Sequence, residues 1–473
     1  MVSKWEHTTL GDIALSSNGA VDGPFGSNLP AAAYTDSGYP VIRGSNLSRG
    51  LDEFKDGNFV FVPEHVFQKL SRSECKAGDI IFTKKGTLGQ TGLISTHHQF
   101  KQYLLSSNQM RLRVDPEKAM PEYVYYCVSS QTAINKLIQD SECTGVPKIN
   151  LAYLKSFPIL LPNLDEQQSI VDVLGSINKK ITLNRQINQT LEQMAQALFK
   201  SWFVDFDPVV DNALDAGFFE QDLEFPDELL RRADARKAVR ESANFKPLSE
   251  NIRQLFPAAF EKCSEPSPGL DSWVPEGWKP SNVGFEFDVT MGQSPPSSTY
   301  NEIGSGLPFF QGKTDFNFRF PSNRIYCTEP KRMAKKYDTL ISVRAPVGDI
   351  NLAAEDCAIG RGLAAARHKS GSFSFSYYAM NSLSKYFEVF EGEGTVFGSI
   401  NQKDFKALPL IKYPGEIITK FDEFCGNWDK RINNLSVEIS TLTDLRDTLL
   451  PKLISGELLL SNSGVDTADE VLA

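Results

Sequence analysis

Two loops of this 473-residue chain place cationic side chains next to glycine. In one loop, Lys84 and Lys85 stand directly before Gly86, and in the other Arg344 stands four residues before Gly348. Each loop follows an apolar run that reads as a strand. Lysine grips phosphate oxygens, and arginine can donate two parallel hydrogen bonds to a base edge or a phosphate. Both loops are therefore candidate contacts to nucleic acid.

The same residue types recur at matching places in two parts of the chain. Arg43–Asn46 parallels Gln311–Thr314, and Gln109–Arg111 parallels Gly360–Gly362. Arg, Lys, Asn and Gln are the side chains that reach guanine and adenine edges or hold phosphate. For any one residue, a solvated surface charge is the alternative interpretation, but the recurrence favours the set. The candidate DNA-binding residues are Arg43, Asn46, Lys84, Lys85, Gln109, Arg111, Lys148, Lys313, Arg344, Arg361 and Lys403.

The remaining reactive residues form no catalytic motif. The five histidines include no HExxH pattern, and no cluster of Cys and His has the spacing of metal ligands. The chain has no GxxxxGK[ST] loop for ATP. Ser294–Ser297 (SPPS) approaches the Asn/Asp-Pro-Pro-aromatic motif of adenine methyltransferases, but it lacks both the amide and the aromatic residue. The sequence predicts no catalytic residue, no metal ligand and no cofactor in this chain.

The net charge of −10 is unevenly distributed. Residues 1–160 carry 16 Lys and Arg against 15 Asp and Glu, and residues 278–410 carry 15 against 13. Two nearly neutral modules can still hold local basic patches, which is what DNA phosphates respond to. Seven scattered cysteines without a CxxC pair argue against a disulfide framework or a zinc site. Because no apolar run is long enough for a membrane helix, we expect a cytoplasmic protein.

A long predicted helix must position these loops. The stretch Asp165–Phe206 follows Pro162 and precedes Pro208, and its seam residues recur at alternating steps of four and three. Such spacing is typical of a helix that packs lengthwise on another helix. At 1.5 Å per residue, it would form a rod of roughly 60 Å. Asp165 with Gln168 resembles a capping box at its start.

The same pattern returns 251 residues later, so the chain contains an internal repeat. Asn184 and Asn188 fall within the first seam; they either are buried and fix its register, or lie on a solvated flank while Ile187 packs. Pro451 stands where the first copy has Lys200, so we expect the second helix to kink or end earlier. The predicted seam residues are Ile170, Leu174, Ile177, Ile181, Leu191, Leu198, Trp202, Phe421, Trp428, Ile432, Leu435, Ile439, Leu442 and Leu449.

Several stretches carry a resemblance to a known family. They are Leu161–Gln167 (LPNLDEQ), Leu183–Val209 with its ALFKSWFVDFDPV run, Leu255–Pro257 (LFP), Val274–Trp278 (VPEGW) and Gly292–Ser297 (GQSPPS). By these residues the chain resembles the specificity subunits of type I restriction–modification systems. The resemblance covers nearly the whole chain, and the ALFKSWFVDFDPV run is its most specific part.

This resemblance implies a non-catalytic subunit with two target-recognition domains, each reading one half of a split, asymmetric DNA site. It also implies two long helices that pack antiparallel and dock two methyltransferase (modification) subunits. Through these, restriction–translocase subunits would join the complex. S-adenosylmethionine, ATP and Mg²⁺ are expected on those partners. Two alternatives from the residues alone are a self-sufficient restriction–modification enzyme and a structural coiled-coil adaptor.

The predicted fold is α+β with pseudo-two-fold symmetry: two repeated mixed α/β target-recognition domains separated by two long antiparallel coiled-coil helices. The expected boundaries are residues 1–160 and 278–410 for the two domains, 161–210 and 411–460 for the helices, 211–277 for a charged, proline-punctuated connector, and 461–473 for a frayed acidic tail.

Overall fold

The computed structural model describes residues 5–52, 54–141, 146–243, 245–267, 270–391 and 398–460. The chain forms two compact units: unit 1 comprises Met1–Asn184 with Val437–Ala473, and unit 2 comprises Arg185–Ser436. Among the described residues, no helix is long and apolar enough to cross a membrane. The tail predicted to be frayed, residues 461–473, lies outside the described residues.

Unit 1 is built on two sheets. The five-stranded sheet has the order β2-β10-β7-β8-β4, the four-stranded sheet has the order β5-β3-β9-β6, and β1 pairs antiparallel with β11. In the four-stranded sheet, β3 and β9 run parallel, so the loops that follow them emerge at the same edge. The strands are β1 (Glu6–Thr9), β2 (Ala20–Asp22), β3 (Tyr39–Ile42), β4 (Ser48–Arg49), β5 (Val60–Val62), β6 (Glu74–Cys75), β7 (Asp79–Thr83), β8 (Gln90–Leu93), β9 (Tyr103–Leu105), β10 (Gln109–Arg113) and β11 (Pro158–Leu161). The short helices are α1 (Glu64–Lys69), α2 (Pro121–Val128), α3 (Gln131–Gln139) and α4 (Leu151–Ser156).

The first long helix, α5 (Leu164–Phe199), begins at a capping box that lies two residues before the predicted one. The Asn163 side chain accepts a hydrogen bond from the Glu166 amide (2.9 Å), and the Glu166 carboxylate accepts one from the Asn163 amide (3.3 Å). Asn163 is the better N-cap because its amide oxygen satisfies an otherwise unpaired helix donor. The helix continues as a π-helical turn, Lys200–Val204, and a new helix starts beside Pro208.

Unit 2 repeats the framework of unit 1. Its β17 and β22 run parallel as β3 and β9 do, its β23-β20-β21 order matches β10-β7-β8, and β14 pairs with β24 as β1 pairs with β11. The strands are β12 (Phe260–Ser267), β13 (Asp271–Pro275), β14 (Lys279–Asn282), β15 (Phe287–Met291), β16 (Tyr300–Asn301), β17 (Leu307–Phe310), β18 (Tyr326–Cys327), β19 (Met333–Ala334), β20 (Thr339–Ser342), β21 (Ile350–Leu352), β22 (Cys357–Ile359), β23 (Leu363–His368) and β24 (Pro409–Lys412). The shorter helices are α6 (Asp207–Asp215), α7 (Asp227–Arg240), α8 (Glu250–Arg253), α9 (Val283–Glu286), α10 (Phe373–Ser382), α11 (Ser384–Glu388) and α12 (Gln402–Ala407).

The second long helix, α13 (Gly415–Ile454), contains Pro451 without ending there. The helix therefore does not end early at Pro451, contrary to that part of the prediction, and the kink stays a prediction. Proline removes one amide donor and crowds the carbonyl four residues earlier, here that of Asp447. Asp447 and Pro451 are both exposed in the helix's last turns, where water can take the place of the lost hydrogen bond.

Within each unit the two long helices run antiparallel. In unit 1 the Arg446 guanidinium donates to Asn178 Oδ1 (3.1 Å), and the Lys180 ammonium lies 3.3 Å from a Glu438 carboxylate oxygen. In unit 2 the rings of Phe199 and Phe421 lie 5.7 Å apart. As the residue number rises along α5, the number of the contacting residue in α13 falls. This arrangement confirms the predicted antiparallel pair.

None of the fourteen predicted seam residues is exposed. Ile170, Leu174 and Trp202 are at most 3% exposed, whereas Leu191 and Leu198 are half-buried. Asn184 and Asn188 are both buried, so the seam interpretation holds and the solvated flank does not. The Asn188 amide approaches Ser436 Oγ at 3.3 Å.

The connector predicted at residues 211–277 is more ordered than its composition suggests. It contains α7, α8 and the antiparallel hairpin of β12 and β13, which the sequence reading did not predict. Ion pairs connect α7 to α6, because Arg236 pairs with Asp211 and Arg240 pairs with Asp215. Its acidic and basic residues thus neutralise one another within unit 2.

A buried arginine joins the second module to both long helices. The Arg319 guanidinium is 2% exposed; it donates to Asp429 Oδ1 (2.6 Å) and Tyr378 Oη (2.7 Å) and lies 2.7 Å from Glu192 Oε2. It also stacks 3.9 Å from the ring centre of Tyr377. Burial raises the pKa of both Glu192 and Asp429, although Arg319 opposes the shift. Two buried carboxylates therefore share one cation.

Candidate nucleic-acid interface

Three loops of unit 2 meet at the ends of neighbouring strands. Because β17 and β22 run parallel, the loops after Phe310 and Ile359 emerge at the same sheet edge. The Gly360 amide donates to the Phe310 carbonyl (2.8 Å), and the Val343 amide donates to the Gly362 carbonyl (2.9 Å). The loops that follow β17, β20 and β22 are thus held together by the backbone.

These loops line an open cleft of about 660 Å³. Gly362 is required for their close approach, because a Cβ atom there would lie 2.2 Å from the Gln311 carbonyl oxygen. The cleft brings together three of the predicted candidates, which lie in three different loops. Its polar lining is Ser294, Tyr300, Gln311, Lys313, Thr314, Arg344 and Arg361.

The cations of the cleft differ in their partners. The Lys313 ammonium lies 2.9 Å from the Asp349 carboxylate. Arg344 and Arg361 are exposed, and neither forms an ion pair within the part of the chain that the structure describes. Burial raises the pKa of the nearby Tyr300 phenol, and the positive charge of Arg361 opposes that shift. Two guanidinium groups are therefore available for a ligand's acceptors.

Unit 1 holds the equivalent loop with the same backbone hydrogen bonds. The Lys84 amide donates to the Asn108 carbonyl (2.7 Å), as Val343 does to Gly362 in unit 2. Lys85 forms an isolated bridge with Lys148, just as Arg344 does with Ser399. Lys85 is thus the positional counterpart of Arg344.

The lysines of unit 1 form a basic surface. Lys85 and Lys148 are exposed on adjoining segments, and Lys84 is half-buried with its ammonium 2.9 Å from the Asp22 carboxylate. Arg43 is half-buried, and its guanidinium contacts the Asn58 carbonyl at 3.4 Å. Two of the predicted candidates thus meet at the Lys85–Lys148 bridge.

Asn46 lies in the interior, contrary to the prediction that it contacts DNA. It is 1% exposed, and its amide nitrogen donates to the carbonyls of Lys55 (3.0 Å) and Gly57 (2.9 Å). Its Oδ1 accepts from the Arg43 amide (3.0 Å). All of these bonds close the local loop, so Asn46 has a structural role.

Gln109 and Arg111 are buried as well, each 2% exposed. Gln109 accepts a hydrogen bond from the Ser106 hydroxyl, and the Arg111 guanidinium donates to the carbonyls of Glu74 and Asn18. Burial lowers the pKa of Arg111. Both side chains are engaged inside the protein, so the predicted DNA contacts of these two residues, to base edges or phosphate, find no support in this structure.

The backbone pairing also corrects the predicted equivalence of Gln109–Arg111 with Gly360–Gly362. Gln109–Arg111 lies within β10, whereas Gly360–Gly362 is the loop before β23. The true counterpart of that loop is Ser106–Asn108, which follows β9 and precedes β10. Arg361 thus corresponds to Ser107, and unit 1 carries no arginine there.

The last candidate, Lys403, is exposed on α12 and does not line the cleft. Among the described residues, no group of three His, Cys, Asp or Glu side chains could hold a metal ion. Cys75, Cys127, Cys327, Cys357 and Cys425 are free thiols, and Cys143 lies outside the described residues. The assembled loops offer hydrogen-bond donors of the kind that base edges and phosphates accept.

Comparison with known proteins gives a consistent result. Residues 2–193 match a family model described as a type I restriction modification DNA specificity domain. The HindI specificity subunit of a type I restriction enzyme from Haemophilus influenzae is 26% identical over 97% of this chain and 100% of its own length. A putative MjaX specificity subunit from Methanocaldococcus jannaschii is 29% identical over 80% of this chain and 77% of its own. A crystal structure of a type I restriction-modification S subunit from M. genitalium shares the fold, with a TM-score of 0.53, 17% identity, and coverage of 95% of this chain and 96% of that one.

Proposed function

We propose that the chain is a specificity subunit of a type I restriction–modification system, a non-catalytic component that recognises the DNA sequence, and that it reads a bipartite, asymmetric site. In this proposal, unit 1 reads one half of the site and unit 2 reads the other. The base pairs between the two halves are not read.

The repeated framework with unlike side chains carries this proposal. Backbone pairs such as Lys84–Asn108 and Val343–Gly362 are equivalent, yet Lys85 in unit 1 stands where unit 2 has Arg344. One framework that carries two different sets of donors suits two different sequences, because loops on a rigid scaffold are where specificity varies. Because the two units carry different donor side chains, we expect the two halves of the site to differ in sequence.

The two sets of donors predict different modes of contact. Arg344 and Arg361 are exposed in one cleft, and an arginine that bonds a guanine bidentately contributes about 1–3 kcal/mol of discrimination. Lys85 and Lys148 suit phosphate, which positions the protein without reading sequence. We therefore assign base reading in unit 2 chiefly to its arginines.

We further propose that α5 and α13 dock two methyltransferase subunits and, through them, the restriction–translocase subunits. Both helices have a buried seam, and outside the seam they expose apolar side chains, which include Leu183, Met194, Val437 and Leu445. Exposed apolar side chains along a long helix suit a partner protein. S-adenosylmethionine, ATP and Mg²⁺ would be bound by these partners, and we expect the complex in the cytoplasm.

A module exchange tests the bipartite site. Residues 278–410 would be replaced by the corresponding module of a relative, and methylated adenines would be mapped in cells that carry the system. We expect one half of the methylated sequence to change while the other half and the gap stay the same. A change in both halves would refute the independence of the two units.

A second experiment tests the division of labour. The purified chain, with S-adenosylmethionine and DNA that contains its site, should bind the DNA and transfer no methyl group. Addition of the methyltransferase subunits should restore transfer. Methyl transfer by the chain alone would contradict the assignment of catalysis to partners.

A further inference from the structure

Phe25 is 80% exposed, although it stands in a loop that is fixed at both ends. Before it, the Gly23 amide donates to the Gln109 carbonyl (2.9 Å), and a Cβ atom on Gly23 would lie 2.0 Å from the Ser106 carbonyl oxygen. After it, Leu29 is buried in the core of unit 1. The loop therefore presents a phenyl ring to solvent from an anchored backbone.

This loop adjoins the basic surface of unit 1. Asp22, three residues before Phe25, pairs with Lys84, whose amide is bonded to Asn108. Lys84 is followed by the exposed Lys85. The aromatic ring thus belongs to the same group of loops as the candidate phosphate contacts.

The repeat gives independent evidence for the position of Phe25. In unit 2 the Gly292 amide donates to the Leu363 carbonyl (2.8 Å), and a Cβ atom on Gly292 would lie 2.1 Å from the Gly360 carbonyl oxygen. These contacts reproduce those of Gly23 in unit 1. Two residues after Gly292 comes Ser294, which lines the cleft with Arg344 and Arg361. Phe25 is the positional counterpart of Ser294, in the binding face of its unit.

We propose that Phe25 packs against a base in the half-site that unit 1 reads, and so determines specificity there. This inference rests on the proposed function. Single exposed apolar residues are common, but Phe25 combines an anchored loop with a place in the binding face. The phenyl ring has neither a charge nor a hydrogen-bond donor for a phosphate oxygen, whereas it can pack against a thymine methyl group or a partly unstacked base. The lysines beside it would hold the backbone while the ring meets the base.

The test compares Phe25→Ala and Phe25→Ser with the parent, each as the full chain assembled with its methyltransferase subunits. Phe25→Ser copies the residue that unit 2 carries at this position. Phe285→Ala is the matched control, because Phe285 is 70% exposed on α9 and does not line the cleft. Binding is measured on a duplex with the recognised sequence, known from methylated adenines, and on an unrelated duplex over a range of salt concentrations.

We expect both Phe25 variants to bind the recognised duplex about 10- to 100-fold more weakly, as the loss of a well-packed aromatic contact implies. Binding to the unrelated duplex, the salt dependence and the melting temperature should stay as in the parent, and Phe285→Ala should match the parent throughout. Unchanged binding by both Phe25 variants overturns the inference. Equal weakening on both duplexes also overturns it, since that result marks a sequence-independent contact. If the parent itself binds the two duplexes equally well, that result refutes the proposed function and not only the role of Phe25.

Discussion

Replacement of Arg319 by methionine should selectively destabilise unit 2. The guanidinium is 2% exposed and contacts Asp429 on α13 and Glu192 on α5, whose side chains are 3% and 11% exposed. Methionine fills a similar volume without the charge, so Arg319→Met leaves two carboxylates in an apolar site without their cation. We expect the folded state to survive at low temperature, because the surrounding aromatic core is unchanged.

The size of the effect follows from this burial. Removal of one partner of a buried ion pair typically costs about 3–5 kcal/mol, because the remaining charge is left uncompensated. For domains of 150–250 residues, each kcal/mol lowers the melting temperature by roughly 2–4 °C. Unit 2 spans Arg185–Ser436. Its melting temperature should therefore fall by roughly 6–20 °C.

Tryptophan fluorescence suits this measurement, because four of the five tryptophans lie in unit 2. They are Trp202, Trp273, Trp278 and Trp428, and only Trp5 belongs to unit 1. Arg231→Met is the matched control, since Arg231 is an exposed arginine of α7 that pairs with Glu228 on the same helix. We expect the control to melt with the parent.

The dependence on pH provides a further signature. Burial raises the folded-state pKa of Glu192 and Asp429 above their ordinary values of 4.5 and 3.8. The folded state therefore holds these protons more tightly than the unfolded state does. The contribution of the two groups to the free energy of unfolding is greatest at a pH below their ordinary pKa values, and it falls as the pH rises through their raised folded-state pKa values. Without Arg319 to oppose the shift, the fall should be larger. Arg319→Met should thus lose the most stability toward neutral pH.

A rescue experiment can refute this reasoning. Glu192→Gln and Asp429→Asn, added to Arg319→Met, neutralise the orphaned carboxylates and should recover much of the lost melting temperature. An Arg319→Met variant that melts with the parent would show that the ion cluster contributes no net stability. A triple variant that is no more stable than Arg319→Met would assign the loss to packing instead.

Three further predictions concern DNA binding and the helices. Lys85→Ala should weaken binding to all sequences and lower the salt slope by about one, whereas Arg344→Ala should cost roughly 1–3 kcal/mol on the recognised site and relax one base position; parent-like binding by both variants across salt concentrations would remove them from the interface. Asn184→Leu should raise the melting temperature, because the buried amide has no hydrogen-bond partner among the described residues and leaving it unpaired costs about 1–3 kcal/mol; a lower melting temperature would show that the amide is satisfied. Four residues inserted after Thr182 add about 6 Å of helix and should widen the unread gap by about two base pairs; an unchanged gap in the methylated sequence would mean that another element sets the spacing.

The repeat and the helix pair were predictable because both depend on patterns that survive in the sequence. Most seam residues, such as Leu174 and Leu435, are apolar and buried, so their spacing in the sequence indicates the helix contact. The antiparallel direction came from the family resemblance, since a seam alone fits either direction. The hairpin of β12 and β13 was missed because its residues, Phe260–Ser267 among them, mix charges and prolines that favour loops.

Burial of the polar candidates could not be read from the sequence. Strand β10 (Gln109–Arg113) has the alternation of polar and apolar residues that normally marks one exposed face. Here both faces are covered, and only Arg113 reaches partial exposure. Gln109 accepts a hydrogen bond from the hydroxyl of nearby Ser106, whereas the Arg111 guanidinium donates to the carbonyls of Glu74 and Asn18, which come from distant segments. Only the tertiary structure supplies those partners.

Comparison of equivalent positions in the two units distinguishes residues that maintain the loops from residues proposed to contact DNA. Gly23 and Gly292 make the same backbone contacts, and so do Lys84 and Val343, so these positions maintain the loops in both units. The neighbouring positions differ in chemistry. When the two repeats are aligned, Lys85 corresponds to Arg344, Phe25 corresponds to Ser294, and Ser107 corresponds to Arg361. Where one unit carries an arginine or an aromatic ring and the other does not, as at these positions, the two units offer unlike contacts to DNA. The residues most worth exchanging between the units are therefore these three pairs, and each exchange should alter only the half-site of the unit that receives the new side chain.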